Sequence, residues 1–296
     1  MSSTTSTTES APRKRANTVP AVRATKVSEG SEPLVMVTAY DAPSARIADE
    51  AEVDMILVGD SVAMVVLGYD DTLQLTVDDM AHHIGAVART KPDALIVADM
   101  PWMSFHVSVE QTIENAAKLI RAGGQCVKIE GGTKRVPVVR ALVDAEIPVM
   151  GHLGLTPQST HAMGGFKVQA RQLEAAEQLL QDAKELQDAG VFAIVLEGIP
   201  DVVADLVTRS IDIPTIGIGA GVGTDGQVLV FHDLVGLETR FVPKFVRRYG
   251  DLHGAAVDAV SAYAHDVRHG HFPNDSETYH ASADVAETLA LYGHDG

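Results

Sequence analysis

Cys126-Val127-Lys128-Ile129-Glu130-Gly131-Gly132 is a short apolar run that carries one ammonium and one carboxylate and stops at two glycines. Side chains alternate across a strand, so Lys128 and Glu130 share one face while Val127 and Ile129 share the other. A parallel strand is covered on both faces, where such charges are costly unless paired or ligated. The run therefore has two readings: a buried ion pair without chemistry, or part of a site.

Other short apolar runs end in the same way. Tyr40-Asp41, Gly59-Asp60-Ser61, Asp99, Gly151-His152 and Glu197 each follow a run rich in Val, Ile, Leu or Ala, as do the glycines from Gly217 to Gly221. An Asp after a strand is often a helix cap, and Asp41 is weighed that way. Asp60, Asp99 and Glu130 fall after consecutive runs, and neighbouring strands lie about 4.8 Å apart, so the three carboxylates can converge. Two carboxylates at about 4 Å repel by about 4 kcal/mol at an effective dielectric near 20. One lysine does not neutralise three of them. A hard divalent cation does, and oxygen donors suit magnesium, with manganese, cobalt and zinc as other candidates. Among the histidines only His152 stands at a strand exit, while His82 and His83 fall on a helical pattern and are expected in solvent.

The elements that must position these residues are regular. Eight apolar runs, at 34–38, 55–58, 94–98, 126–129, 148–150, 192–196, 214–218 and 227–231, alternate with amphipathic stretches, the pattern of βα units on a parallel sheet. Thr76-x-x-Asp79 and Ser108-x-x-Gln111 predict capping boxes, Gly123 and Gly190 predict helix stops, and 247–267 predicts a further helix. Eight such units predict a (β/α)8 TIM barrel, whose active site lies at the C-terminal ends of the strands, where the polar residues fall. Residues 154–171 form a connection too long and polar for a plain turn.

The domain layout expected is a disordered Ser/Thr-rich tail over 1–26, a barrel with C-terminal helices over 27–270, and a surface tail over 271–296. The basic triplet Arg13-Lys14-Arg15 in the first tail reads as a solvated charge run. A formal charge of -17 argues against nucleic acid as a partner, and no apolar run approaches the roughly 20 residues of a membrane helix. The expectation is a cytoplasmic enzyme. The one cysteine, Cys126, cannot form an internal disulfide and reads as a packed core residue.

Several stretches closely resemble ketopantoate hydroxymethyltransferase, in that family's order and spacing. They are Thr38-Ala39-Tyr40-Asp41, Leu57-Val58-Gly59-Asp60-Ser61, Ala98-Asp99-Met100-Pro101, Val127 to Gly132, Gly151 to Gln158, and Gly217 to Gly221 followed by Asp225-Gly226-Gln227. The resemblance covers roughly 23–280. It implies a barrel of the phosphoenolpyruvate/pyruvate superfamily, assembled as a homodecamer. The implied reaction transfers a hydroxymethyl group from 5,10-methylenetetrahydrofolate to 3-methyl-2-oxobutanoate through a metal-stabilised enolate, giving ketopantoate for pantothenate and coenzyme A. Carried over by motif, Asp60 and Asp99 resemble direct magnesium ligands that also face substrate, and Glu130 stands close to the metal through its water. Ser61 and Lys128 resemble residues that hold the 2-oxo acid, His152 a substrate contact, and Glu197 the general base.

The chain departs from the family at Ala63 and Ala170, which replace glycines, at Gly198, where a larger residue is frequent, and at His161, where asparagine is frequent. The glycines at 217, 219 and 221 do not complete GxGxxG and are expected to make a tight turn that lets a ligand approach. Two other classes are weighed against this. A lyase or mutase of the same superfamily carries a catalytic cysteine in a mobile loop, whereas Cys126 lies in a strand, and a binding protein has no need of a separate carboxylate such as Glu197.

Overall fold

The protein is described by a computed structural model over residues 17–159, 165 and 168–292. A short helix α1 (Val19–Arg23) precedes β1 (Leu34–Thr38), α2 (Ala42–Glu50), β2 (Met55–Val58), α3 (Val62–Val65) and α4 (Val77–Ala88). Then come β3 (Leu95–Asp99), α5 (Val109–Arg121), β4 (Cys126–Glu130), α6 (Val136–Asp144) and β5 (Val149–Gly154). The second half holds α7 (Leu173–Ala189), β6 (Ala193–Glu197), α8 (Asp201–Ser210), β7 (Thr215–Ile218), β8 (Gly226–Leu229) and α9 (Phe231–Leu234), followed by α10 (Leu252–His269) and α11 (Ala283–Tyr292). The strands close in the order β1 to β8 into one parallel barrel, with β1 paired to β8 through Leu34 and Gly226. The expected (β/α)8 barrel is therefore present.

The strand pattern sorts the core into two layers. Leu34, Met36, Met55, Leu57, Leu95, Val97, Cys126, Met150, Val195, Ile216 and Val228 pack together in one cluster. Val37, Ile56, Val58, Ile96, Ala98, Val127, Ile129, Val149, Ile194 and Leu196 pack in a second one that includes helix residues such as Met80, Ile84, Leu119, Leu142 and Leu186. The first layer fills the barrel interior and the second joins the sheet to its helices. Each fully buried side chain of this size is worth about 1.5–3 kcal/mol, which is what holds the strand exits in place.

Two expectations about helix ends differ in detail. Thr76 and Asp79 make a reciprocal capping box, whereas Ser108 accepts the Gln111 amide without the return bond. The helix expected over 247–267 is α10, which starts at Leu252, because the preceding segment runs irregularly beside the barrel mouth.

The expected tail over 1–26 is also corrected. Val19–Arg23 is helical and Val22 is fully buried. Lys26 is buried too, its Nζ donating to Asp225 Oδ2 at 2.8 Å and to the Thr208 carbonyl at 2.8 Å, while the Val27 amide donates to Asp225 Oδ1 at 2.9 Å. Composition misses this because a lone lysine does not announce a partner so far along the chain. Residues 1–16, with the basic triplet, lie outside the described residues. At the other end the expected surface tail over 271–296 carries α11, and α10 buries none of its residues. Among the described residues no helix is long and apolar enough to cross a membrane.

Candidate active site

The interior face of the barrel changes character along its length. Met36, Met55, Leu95, Cys126 and Met150 fill the lower part, and the residues two further on, or at the next exit, are polar. Lys128 and Glu130 follow Cys126 on the same strand face, Asp99 follows Val97, His152 follows Met150, and Glu197 follows Val195. The register sets Asp99 beside Lys128 and Glu130 beside His152. Asp99, Lys128, Glu130, His152 and Asp60 are all less than 5% exposed, and all line one cavity of about 910 Å³ with Ser61 and Glu197. The seven predicted site residues are thus brought together at one end of the barrel.

Their contacts form a chain. The Asp60 amide donates to Asp99 Oδ2 at 3.1 Å, and Lys128 Nζ lies 2.9 Å from Asp99 Oδ1. Lys128 Nζ is also 3.2 Å from His152 Nδ1, which stands 3.3 Å from Glu130 Oε1. On its other side His152 Nε2 is 3.2 Å from Glu197 Oε2, and Glu197 is the more open of the two at 16% side-chain exposure. Ser61 Oγ is hydrogen-bonded to the Tyr40 hydroxyl at 2.8 Å.

Sequence reasoning did not single out Gln158 or Tyr40 as site residues. Gln158 Nε2 donates to Asp60 Oδ2 at 3.0 Å and to the Met100 carbonyl at 2.9 Å, and its amide donates to Glu130 Oε2 at 3.1 Å. Its position within the long connection was the available signal. Asp41, weighed as a cap, does cap α2. His83 is not simply solvated, since its Nδ1 meets the Tyr40 carbonyl at 2.8 Å.

The electrostatics show what is missing from the cluster. Burial first, and then the charges of Asp99 and Glu130, push the Asp60 carboxyl well above the ordinary range. Burial raises Asp99 as well, although Lys128 opposes it. Burial disfavours the charged form of Glu130 too, but His152, Lys128 and the Gln158 amide outweigh it and hold Glu130 below its usual value. For Lys128, burial is overcome by the three acidic neighbours, which raise it. For His152, burial and the Lys128 ammonium favour the neutral ring, yet Glu130 and Glu197 prevail and raise its pKa to about 9. Four carboxylates face one ammonium and one imidazolium, a shortfall of two positive charges. A divalent cation with oxygen ligands fits that shortfall at Asp60 and Asp99. The three carboxylates do not bring one oxygen each to within 4.8 Å of one another; among the described residues only the exposed His265, Asp266 and His271 of the C-terminal arm form so tight a set.

The family departures and the glycine turn are now physical. Ala170 has φ 51°, a left-handed conformation that favours glycine. Gly219 has φ 62°, and a Cβ there would meet the Phe245 ring at 2.8 Å, so the close approach expected of a ligand is made by the chain's own aromatic rim. His161 lies outside the described residues. Cys126 is fully buried and burial raises its thiol, which excludes it as a nucleophile.

Comparison with known proteins gives a consistent picture. The profile of the ketopantoate hydroxymethyltransferase family matches residues 17–275. A protein of Bradyrhizobium diazoefficiens called 3-methyl-2-oxobutanoate hydroxymethyltransferase 2 is 54% identical over 273 residues, covering 92% of each chain. The 3-methyl-2-oxobutanoate hydroxymethyltransferase of Oleidesulfovibrio alaskensis is 55% identical over 260 residues, covering 88% of this chain and 89% of that one. Among solved structures, a phosphoenolpyruvate phosphomutase from Streptomyces platensis subsp. rosaceus superposes with a TM-score of 0.58 at 15% identity, covering 93% of this chain and 96% of that one. A 2,3-dimethylmalate lyase of the PEP mutase/isocitrate lyase superfamily gives 0.55 at 16% identity, covering 96% of this chain and all of that one. At such identities these two structures speak for the fold alone.

Proposed function

The chain belongs to the ketopantoate hydroxymethyltransferase family, and from that premise we propose how the barrel mouth works. The reaction transfers a hydroxymethyl group from 5,10-methylenetetrahydrofolate to 3-methyl-2-oxobutanoate, giving 2-dehydropantoate for pantothenate synthesis. The observation that carries the assignment of roles is the separation of two acidic groups within one cavity: the Asp60/Asp99 pair beside Lys128, and Glu197 reached only through His152.

Magnesium is the metal of this reading, and Asp60 and Asp99 would hold it with Glu130 beside them. When bound, it would supply a Lewis acid toward the carboxylate and keto oxygens of the 2-oxo acid. Lys128, buried and charged, binds the anionic substrate and keeps Asp99 in place at 2.9 Å. Ser61, held by the Tyr40 hydroxyl, offers a polar contact on the same side. Gln158 ties the long connection to Asp60 and Glu130 and so fixes the orientation of both carboxylates. Glu197 takes the proton from C3 of the 2-oxo acid, and His152 orients it from 3.2 Å. The methylene of the folate, opened at one carbon–nitrogen bond and hydrated by water, is transferred to the resulting carbanion as a hydroxymethyl group, and tetrahydrofolate leaves with both nitrogens reprotonated. The protein is read as a cytoplasmic homodecamer; exposed apolar side chains such as Phe241, Val260 and Tyr263 support contacts between subunits.

Removal of the C3 proton precedes carbon–carbon bond formation, so the enzyme should exchange that hydrogen for deuterium in heavy water without folate. Glu197→Gln keeps the shape and removes the base. Exchange and turnover should fall together by about 10²–10⁴, the usual scale of general-base catalysis. Proton NMR of 3-methyl-2-oxobutanoate checks this, and undiminished exchange in the variant would reassign the base.

A further inference from the structure

Of the cavity-lining carboxylates with no task in the steps above, Asp70, Asp201 and Glu238 are more open and Asp233 is the buried one. Asp233 lies on α9, directly after β8, is 9% exposed, and lines the cavity shared by Asp60, Lys128 and Glu197. The helix it belongs to has no side-chain cap, so Asp233 does not serve that purpose. No described residue donates a hydrogen bond to its carboxylate. Burial, followed by the charge of Glu238, pushes its pKa up to about 6, with Arg248 only partly opposing. A carboxylate that opens onto a largely apolar cavity without protein donors is partly desolvated, and a ligand that brings donors supplies the missing bonds.

The rest of the cavity narrows the choice of ligand. At about 910 Å³ it lies toward the upper end of pockets that take drug-sized molecules, whereas the 2-oxo acid is small. The wall not used by that acid is apolar and aromatic, including Val65, Tyr69, Val168, Phe241 and Phe245, and Lys244 lies on the same rim. Tyr69 and Phe241 are 45% and 72% exposed, which leaves flat apolar surface for a ring to cover. A planar N–C–N edge with two parallel N–H groups is what a carboxylate binds in bidentate fashion, as it binds guanidinium. The pterin of methylenetetrahydrofolate has that edge in its ring amide and amino group, and the other end of the cofactor carries glutamate carboxylates.

We propose that Asp233 is the folate-recognition residue, accepting the two N–H groups of the pterin edge, with Lys244 on the side of the glutamate tail. The inference rests on the reading of this cavity as the site of the hydroxymethyl transfer. Position supports it: β2 and β8 both neighbour β1, and the charges of Asp60 and Asp233 both act on the Tyr40 hydroxyl between them. The pterin would thus lie alongside the 2-oxo acid, as formation of the new carbon–carbon bond requires.

The test uses the full chain and its Asp233→Asn and Asp233→Glu variants, with two measurements: folate-free deuterium exchange of 3-methyl-2-oxobutanoate, and the KM for methylenetetrahydrofolate. The expected result for Asp233→Asn is a KM raised by about 10–100-fold, the scale of one charge-assisted contact, while the folate-free half-reaction continues. Asp233→Glu should recover part of the loss, and titration calorimetry with tetrahydrofolate should follow the same order. A folate KM and tetrahydrofolate affinity unchanged in Asp233→Asn would overturn the inference while the exchange left the site reading standing. Absence of exchange in the parent enzyme would overturn the site reading, and the inference with it.

Discussion

Asp60 and Asp99 lie side by side, and burial raises both carboxyls, so ionising the pair without a cation is costly, with a consequence for stability as well as for chemistry. In chelator, Asp60→Asn should unfold at a higher temperature than the parent, because one repelled charge is gone and the amide fits the same space. Turnover with magnesium restored should fall at least about a hundredfold, the scale of removing one preorganised electrostatic contact. Full activity of the parent in excess chelator would refute the metal assignment. Asp233 gives a pH dependence of definite sign. Its folded pKa of about 6 lies above the ordinary 3.8, so folding favours the protonated form, and its contribution is present below about pH 4 and lost as the pH rises through 6. Asp233→Asn should therefore match the parent near pH 4 and exceed it by about 1 kcal/mol at pH 8, a figure reduced for solvent screening, as urea titrations at the two pH values would show. Asp60, Asp99, Glu130, His152 and Glu197 were legible in the sequence because strand alternation and strand exit locate a side chain almost by counting. Tyr40 was located at a strand exit in the same way but given no role, whereas Gln158 and Asp233 were not located, because their reach depends on the path of the chain after the strand, and no periodicity encodes that.

At the scale of elements, the strands were legible as apolar runs, with ends shifted by a few residues because the same residue types continue into the turns. Segment 247–267 was less so. Its first residues contain aromatic and basic side chains that look amphipathic, yet Phe245 just before them packs on the Gly219 turn at the barrel mouth and the helix begins only at Leu252. The buried pair of Lys26 and Asp225 fastens the segment before β1 to the one before β8, and neither residue is more than 6% exposed. Lys26→Met should cost about 3–5 kcal/mol, because Asp225 is left charged and buried with only the Thr215 amide and hydroxyl and the Val27 amide as donors. Chemical denaturation measures this, and Asp225→Asn in the same background should return part of the loss. A cost below about 1 kcal/mol would mean that water reaches the site.

For the whole molecule, helical structure extends nearer the start of the chain than composition implied, since α1 begins at Val19. Deleting residues 2–16 should leave the thermal midpoint and turnover of the remaining chain unchanged, since the family match begins at 17 and, among the described residues, the first buried apolar side chain is Val22. At the other end, α10 exposes Val257, Val260, Tyr263 and Val267, too much apolar surface for a helix left in water. Val260→Glu with Tyr263→Glu should reduce the particle size seen by light scattering if this face joins subunits. An unchanged size would place the subunit contacts elsewhere.

The closure of β1 against β8, and the clasp between Lys26 and Asp225 across 199 residues, bear on how the chain is made. The first strand to leave the ribosome waits unpaired on one side until nearly the last strand has emerged. The contact that locks the barrel floor cannot form before then. During synthesis β1 is an open edge rich in Leu, Val and Met, the kind of surface that pairs with other chains and that chaperones cover. Completion of β8 is thus the step at which an adhesive nascent chain becomes a closed, self-contained one.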